Sequence, residues 1–204
     1  MRALEHLAES RYESAGLDPA EPDLPRLVRA LLGTSVTRGP RPISGPAALY
    51  RVGPAWGIVV SSKLPLVHAR FFIAHELAHW ILRDEGLDDR DEAAADYLGA
   101  ALLAPRRAYL AAVRAGLELP ELAERFGLTE TGAALRIGET TGRPIVLVAP
   151  ASVRPRGSES WVWPPEPTLR VWARRDRPGV ARVRLVDDPR RVMLEGVELA
   201  AGAG

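Results

Sequence analysis

The stretch "FFIAHELAHW", residues 71–80, carries His75, Glu76 and His79 in the spacing HExxH. On an α-helix, residues four apart leave nearly the same face, about 6 Å apart along the axis. His75 and His79 can therefore offer two imidazole nitrogens to one metal ion. Glu76 is turned by about 100° from His75, which suits a base beside an ion-bound water better than a ligand. The flanks Phe71, Phe72, Ile73, Leu77, Ile81 and Leu82 are apolar. A helix of this kind buries most of its surface, and buried histidines and carboxylates need partners. A metal supplies one; the rival reading is a core helix whose histidines are satisfied by neighbours.

A catalytic zinc site usually has three protein ligands and one open position. Glu85, six residues after His79, is one candidate for the third. Leu82 stands where a sharp turn would call for glycine, which weakens that candidate. The better one lies in "RDEAAADYLGAALLAP", residues 90–105. Glu92 and Asp96 again stand four apart, and Ala93, Ala94, Ala95, Gly99, Ala100 and Ala101 surround them. Small residues let two helices approach closely, so a Glu92 carboxylate can reach a metal held on the first helix. Asp96, one turn on, can accept the free ring N–H of a ligating histidine. Glu92 alone would otherwise be a first-turn acid favoured by the helix dipole, and Asp96 a solvated side chain.

The surrounding elements must place these groups. The pattern predicts helices over 1–15 and over 24–32, the second stopped by Gly33, and a Gly- and Pro-rich loop with short strands over 34–56. "WGIVVSS", 56–62, reads as a strand, either a core strand or one with an edge that could receive an extended peptide, the core reading being the better one. The histidine helix spans about 67–83. Asp88 or Asp89 is the expected N-cap of the next helix, which runs to about Leu103. Residues 120–142 read as two short helices around Gly127. Beyond that, "IVLVA", "LRVWARR", "ARVRLVD" and "VMLEGVEL" are strand-like. The expected organisation is a domain over 1–142, including the helical pair at 120–142, and a small β-rich unit over 143–204.

Composition narrows the chemistry. The chain has 204 residues, 47% hydrophobic, no cysteine and a formal net charge of +1. Disulfides and thiolate zinc sites are excluded, so a metal must use histidine, carboxylate or water. No apolar run approaches the roughly 20 residues that span a bilayer. The opening "MRALEHLAES" does not read as a signal peptide, and a cytoplasmic location is expected. Lys63 is the only lysine among 27 basic residues, which we read as coding bias.

At these residues the chain resembles the ImmA/IrrE family of bacterial metallopeptidases. The family pattern is an R-F-x-x-A-H-E-x-x-H helix followed by an acidic E-x-x-x-N/D helix ending in L-L-x-P. Here it is matched by Arg70, Phe71, Ala74, His75, Glu76, His79, then Glu92, Asp96 and "LLAP" at 102–105. The match is strongest over 56–105. The resemblance implies an α+β fold: a zincin-like domain of a small sheet with an HExxH helix and an ExxxD helix, then a helical pair and a small antiparallel β unit. It implies Zn2+ as cofactor, His75, His79 and Glu92 as ligands, Glu76 as base and Asp96 behind a ligand. It also implies an endopeptidase acting on a protein, typically a helix-turn-helix repressor or antitoxin-like regulator in a stress or mobile-element programme. Ala94 and Leu98 depart from the family, which often has an acid and Phe there. The residues after 142 are too few for the sensor domain of its radiation-response branch.

Two other functions compete. "LAERFGLTETGAALRIG" has a spacing reminiscent of a DNA-reading helix pair, but Arg136 alone could reach a base and the pair reads better as a packing element. Residues 151–191 carry ten Arg against five acids, with Trp161, Trp163 and Trp172, a composition that could hold nucleic acid, although solvated strand faces explain it as well. An interaction protein with a structural zinc is a further alternative, against which Glu76 argues. His68, Tyr97 and Tyr109 are the nearby candidates for stabilising an oxyanion.

Overall fold

A computed structural model describes residues 2–40 and 45–141, together with the backbones of four later strands. Among them are seven helices and a three-stranded sheet. Helix α1 (Arg2–Ser14) buries Glu5, Ala8 and Tyr12 on one face. Helix α2 (Leu24–Leu32) starts where the Asp23 side chain accepts the Arg26 N–H, with Pro25 in its first turn. It stops at Gly33, whose φ of 69° is costly for any residue with a side chain.

Strands β1 (Thr37–Gly39), β2 (Ala47–Val52) and β3 (Ala55–Ser61) form a sheet in the order β1-β3-β2. β1 runs parallel to β3 and β2 antiparallel to it. Strand β3 is the expected "WGIVV" strand, and it is a core strand, central and paired on both sides. The alternative reading, an edge that receives a peptide, does not hold for it, since the edges of this sheet are β1 and β2. Ile58 and Val60 are fully buried, as suits the middle strand.

Helix α3 (Leu66–Asp84) buries Ala69, Ala74, Leu77, Ala78, Ile81 and Leu82. Helix α4 (Glu92–Leu103) packs directly against it. The contact is so close that a Cβ at Gly99 would lie 3.1 Å from the His75 nitrogen and 3.2 Å from its Cα. The cap of α4 differs from expectation: Asp91, not Asp88 or Asp89, accepts the Ala94 N–H. Asp88 instead closes a turn on the Arg90 N–H, and Asp89 pairs with Arg83. Helix α5 (Arg106–Arg114) follows Pro105 without being foreseen in the sequence. Helices α6 (Leu119–Phe126) and α7 (Glu130–Thr141) flank Gly127, whose φ is 61°.

An ion cluster ties the ends of this part of the chain together. Arg136 on α7 is fully buried, and its Nη atoms donate to both Glu5 carboxylate oxygens at 2.8 and 2.7 Å and to Glu139 at 3.0 Å. Tyr97 donates to the same Glu5 at 2.6 Å. Burial opposes the charge on Arg136, but Glu5 and Glu139 outweigh it and raise its pKa. Burial also lifts Glu139 above the usual carboxylate range, although Arg136 pulls the other way.

Strands β4 (Ile145–Val148), β5 (Ser160–Trp163), β6 (Arg182–Leu185) and β7 (Val192–Glu195) pair antiparallel in the order β5-β4-β7-β6. The strand expected at "LRVWARR" and most of the Arg-rich 151–191 segment lie outside the described residues.

Candidate metal centre

Helix α3 carries His75, Glu76 and His79, and α4 brings Glu92 and Asp96 alongside. His75 Nδ1 lies 2.8 Å from Asp96 Oδ1, and His79 Nδ1 lies 2.8 Å from the Asp89 carbonyl oxygen. A carbonyl cannot donate, so the proton of neutral His79 sits on Nδ1; the Asp96 carboxylate places that of His75 likewise. Both Nε2 lone pairs then face the same small volume. The two Nε2 atoms are 2.9 Å apart, and Glu92 Oε2 is 3.3 Å from one and 3.7 Å from the other.

Three acceptors this close repel one another unless a proton or a cation lies among them. With a proton there, His75 has a raised pKa. The hydrogen bond to Asp96 is the main cause, burial works against it, and the charges of Asp96, Glu76 and Glu92 add to it. A metal fits the same place. Tetrahedral zinc at its usual bond length to nitrogen separates its ligand atoms by on the order of 3.3 Å, and the three observed separations bracket that value. His75, His79 and Glu92 form the three-residue group, among the described residues, whose ligand atoms all lie within 4.8 Å. The side chains of both histidines are mostly covered, at 14% and 16% exposure, whereas that of Glu92 is 74% exposed. The centre is therefore walled by protein on the α3 side and open to solvent on the α4 side.

Glu76 is held by a neighbour that sequence reasoning missed: the Leu49 N–H of β2 donates to its Oε2 at 2.8 Å. Strand β2 is an edge strand of the sheet, so an outward-facing N–H is free for this purpose. The loop after α3 is pinned as well. Arg83 donates through Nε to Asp89 at 2.6 Å and lies 5.0 Å over the Trp56 ring. This holds the carbonyl that orients His79. The same hydrogen bond, with the Arg83 charge behind it, keeps the Asp89 carboxyl below its usual range.

Glu85, the other candidate for third ligand, lies elsewhere: it pairs with Arg11 Nη2 at 2.5 Å, as does Asp84 at 2.6 Å. The oxyanion candidates fare similarly. Tyr97 donates to Glu5, and Tyr109 to the Ala133 carbonyl at 2.6 Å. His68 is exposed near the start of α3. Arg136, the residue on which a DNA-reading helix pair depended, is buried against Glu5 and does not face outward.

A small sheet laid on a helix bearing HExxH, with a second acid-bearing helix packed against it, fits a small zincin-like metallopeptidase domain. Residues 37–137 match the model of the M78 peptidase family, described as the IrrE N-terminal-like domain. Among solved structures, a Mycobacterium tuberculosis transcriptional regulator is similar at a TM-score of 0.56 and 21% identity. The match covers 78% of this chain and 55% of that one, so this chain spans little more than half of its neighbour's length. At that identity the likeness concerns the fold. Among curated proteins none matches.

Proposed function

We propose that the chain is a zinc-dependent endopeptidase that hydrolyses a peptide bond in a protein substrate. The observation that carries this reading is the convergence of His75 Nε2, His79 Nε2 and Glu92 Oε2, with Glu76 anchored beside them on Leu49. His75, His79 and Glu92 would hold the ion, and a zinc there supplies a water of lowered pKa and polarises the scissile carbonyl. Glu76 takes the proton of the attacking water on its carboxylate and passes it to the leaving amine. The Leu49 N–H fixes its direction. Asp96 and the Asp89 carbonyl hold the imidazoles with Nε2 forward. An extended substrate can add to the outer edge of β2, whose backbone already reaches the site through Leu49.

The family suggests the substrate class, a helix-turn-helix repressor or antitoxin-like regulator, and a cytoplasmic setting. Among the described residues no helix is long and apolar enough to cross a membrane. We further propose a boundary near residue 142, with 143–204 a separate β-rich unit that docks a partner or covers the core. The second reading is a regulator with a structural zinc. It is favoured by one observation, the likeness in fold to a transcriptional regulator. The exposure of Glu92 and the placement of Glu76 favour the enzyme, because a structural zinc site is closed and has no use for a base.

The test is Glu76→Gln, which retains size and removes the base. Metal analysis should find zinc undiminished, while cleavage of a helix-turn-helix regulator substrate falls by at least about 100-fold. Cleavage by the variant at the wild-type rate would overturn the mechanism.

A further inference from the structure

The loop before α2, the start of α3 and the end of α6 border an open cavity of about 480 Å³. Its size lies within the roughly 300–1,000 Å³ of small-molecule sites. Arg70 and Arg125 line it, with Phe126 and Pro22 as apolar wall and Glu21 and Asp23 on the α2 side. Arg70 precedes His75 by five residues, so its side chain leaves α3 about 140° around from the metal-facing histidine. The cavity is separate from the metal centre.

Among the described residues neither arginine meets an acceptor. Arg70 is half-buried; its Nε is shut off from water and meets no acceptor. Neither Arg70 nor Arg125 makes a hydrogen bond or an ion pair with the described residues. The Arg70 guanidinium lies close against Gly127, where a Cβ would come within 2.5 Å of Cζ and Nε. Arg125, exposed to solvent, lies 5.7 Å over the Phe126 ring. Arg70 lines the cavity with no acceptor among the described residues, and a guanidinium fork matches a planar carboxylate. The two acids limit the charge of the occupant. Asp23 already accepts the Arg26 N–H, and Glu21 makes no ion pair with either arginine, so both remain as negative charge that disfavours a polyanion.

We propose that this cavity binds a small organic acid, its single carboxylate held between Arg70 and Arg125 and its apolar body against Phe126 and Pro22.

The test is a titration of the full chain, labelled with 15N, watching the Arg70 Nε–H resonance and the melting temperature. The probes are benzoate, its neutral isostere benzamide, and inorganic phosphate. Benzoate should shift the Arg70 signal and raise the melting temperature. Benzamide should bind at least about tenfold more weakly, as should benzoate to Arg125→Gln, since each loses a charge-assisted hydrogen bond. Arg125 is exposed, so this variant should fold and keep its zinc content; Arg70→Gln is the second variant and should lose the benzoate response. An unmoved Arg70 signal at tens of millimolar benzoate overturns the site, and so does equal binding of benzoate and benzamide. Tighter binding of phosphate than of benzoate overturns the assignment to a carboxylate.

Discussion

Each imidazole of the centre has its ring direction set by the group behind it. Asp96 is 60% exposed and Glu92 74% exposed, so neither is packed in a core. Glu92→Gln should therefore leave the metal-free fold untouched. An amide is a poor ligand, so zinc should bind more weakly and the melting temperature should fall only when zinc is present. Melting curves with and without a chelator check this; unchanged zinc affinity would move the third ligand elsewhere. The pH dependence has a sign for each state. A ligating histidine must be neutral, and Asp96 raises the pKa of His75 above the free value of about 6.5. Metal affinity should thus fall as pH drops through that raised value. In the chelated chain the sign reverses. The stabilisation from protonated His75 is fully present below about 6.5 and is lost as pH rises through the folded pKa. Asp96→Asn should flatten the chelated profile.

Helix α4 reaches the centre because its inward face is nearly bare. At Gly99 an added Cβ would press on backbone atoms of His75 and Ala74 at 3.1 to 3.3 Å. Backbone gives way less readily than a side-chain tip. Gly99→Ala gains about 1 kcal/mol of helix propensity, which offsets part of an overpacking cost of about 1–3 kcal/mol. Global stability should then change little, while zinc affinity falls because Glu92 and Asp96 are displaced with the helix. Gly99→Leu should lower stability outright. Thermal melts paired with zinc titration separate the two effects, and Gly99→Ala binding zinc as the wild type does would show that the helix spacing has slack.

At the scale of the whole molecule, α1, α4 and α7 meet at Arg136. Replacing it by Met leaves Glu5 and Glu139 buried without their cation, and removing one partner of a buried pair costs about 3–5 kcal/mol. A large fall in melting temperature should follow, partly restored by adding Glu5→Gln. A fall that the second substitution does not restore would mean that packing, not charge, dominates there. The proposed boundary makes a separate prediction. A chain ending near residue 142 should retain its zinc, measured by metal analysis; a truncated chain that stays folded and loses zinc would place part of the centre beyond the boundary.

Much of the centre was legible in the residues themselves. HExxH and ExxxD are helical spacings, so their faces follow from local geometry alone, and the small residues around Gly99 signalled the close helix contact. The caps at Gly33 and Gly127 were legible for the same local reason. Helix α5 was not, because nine residues beginning RRAYL hold a helix only once Tyr109 and Ala112 are buried. The choice of Asp91 over Asp88 and Asp89 as cap also depended on tertiary partners, since Asp89 is drawn off by Arg83 across the loop. Strand order could not be read from "WGIVV": a strand's pattern shows that it is buried, not which neighbours cover its edges. Only the assembled sheet made β3 central, left β2 as an edge, and turned the Leu49 N–H onto Glu76. Arg136 is the sharpest case. Its sequence context suits an exposed helix, yet Glu5, 131 residues away, draws it into the core, and a contact across that separation exists only after the chain has folded.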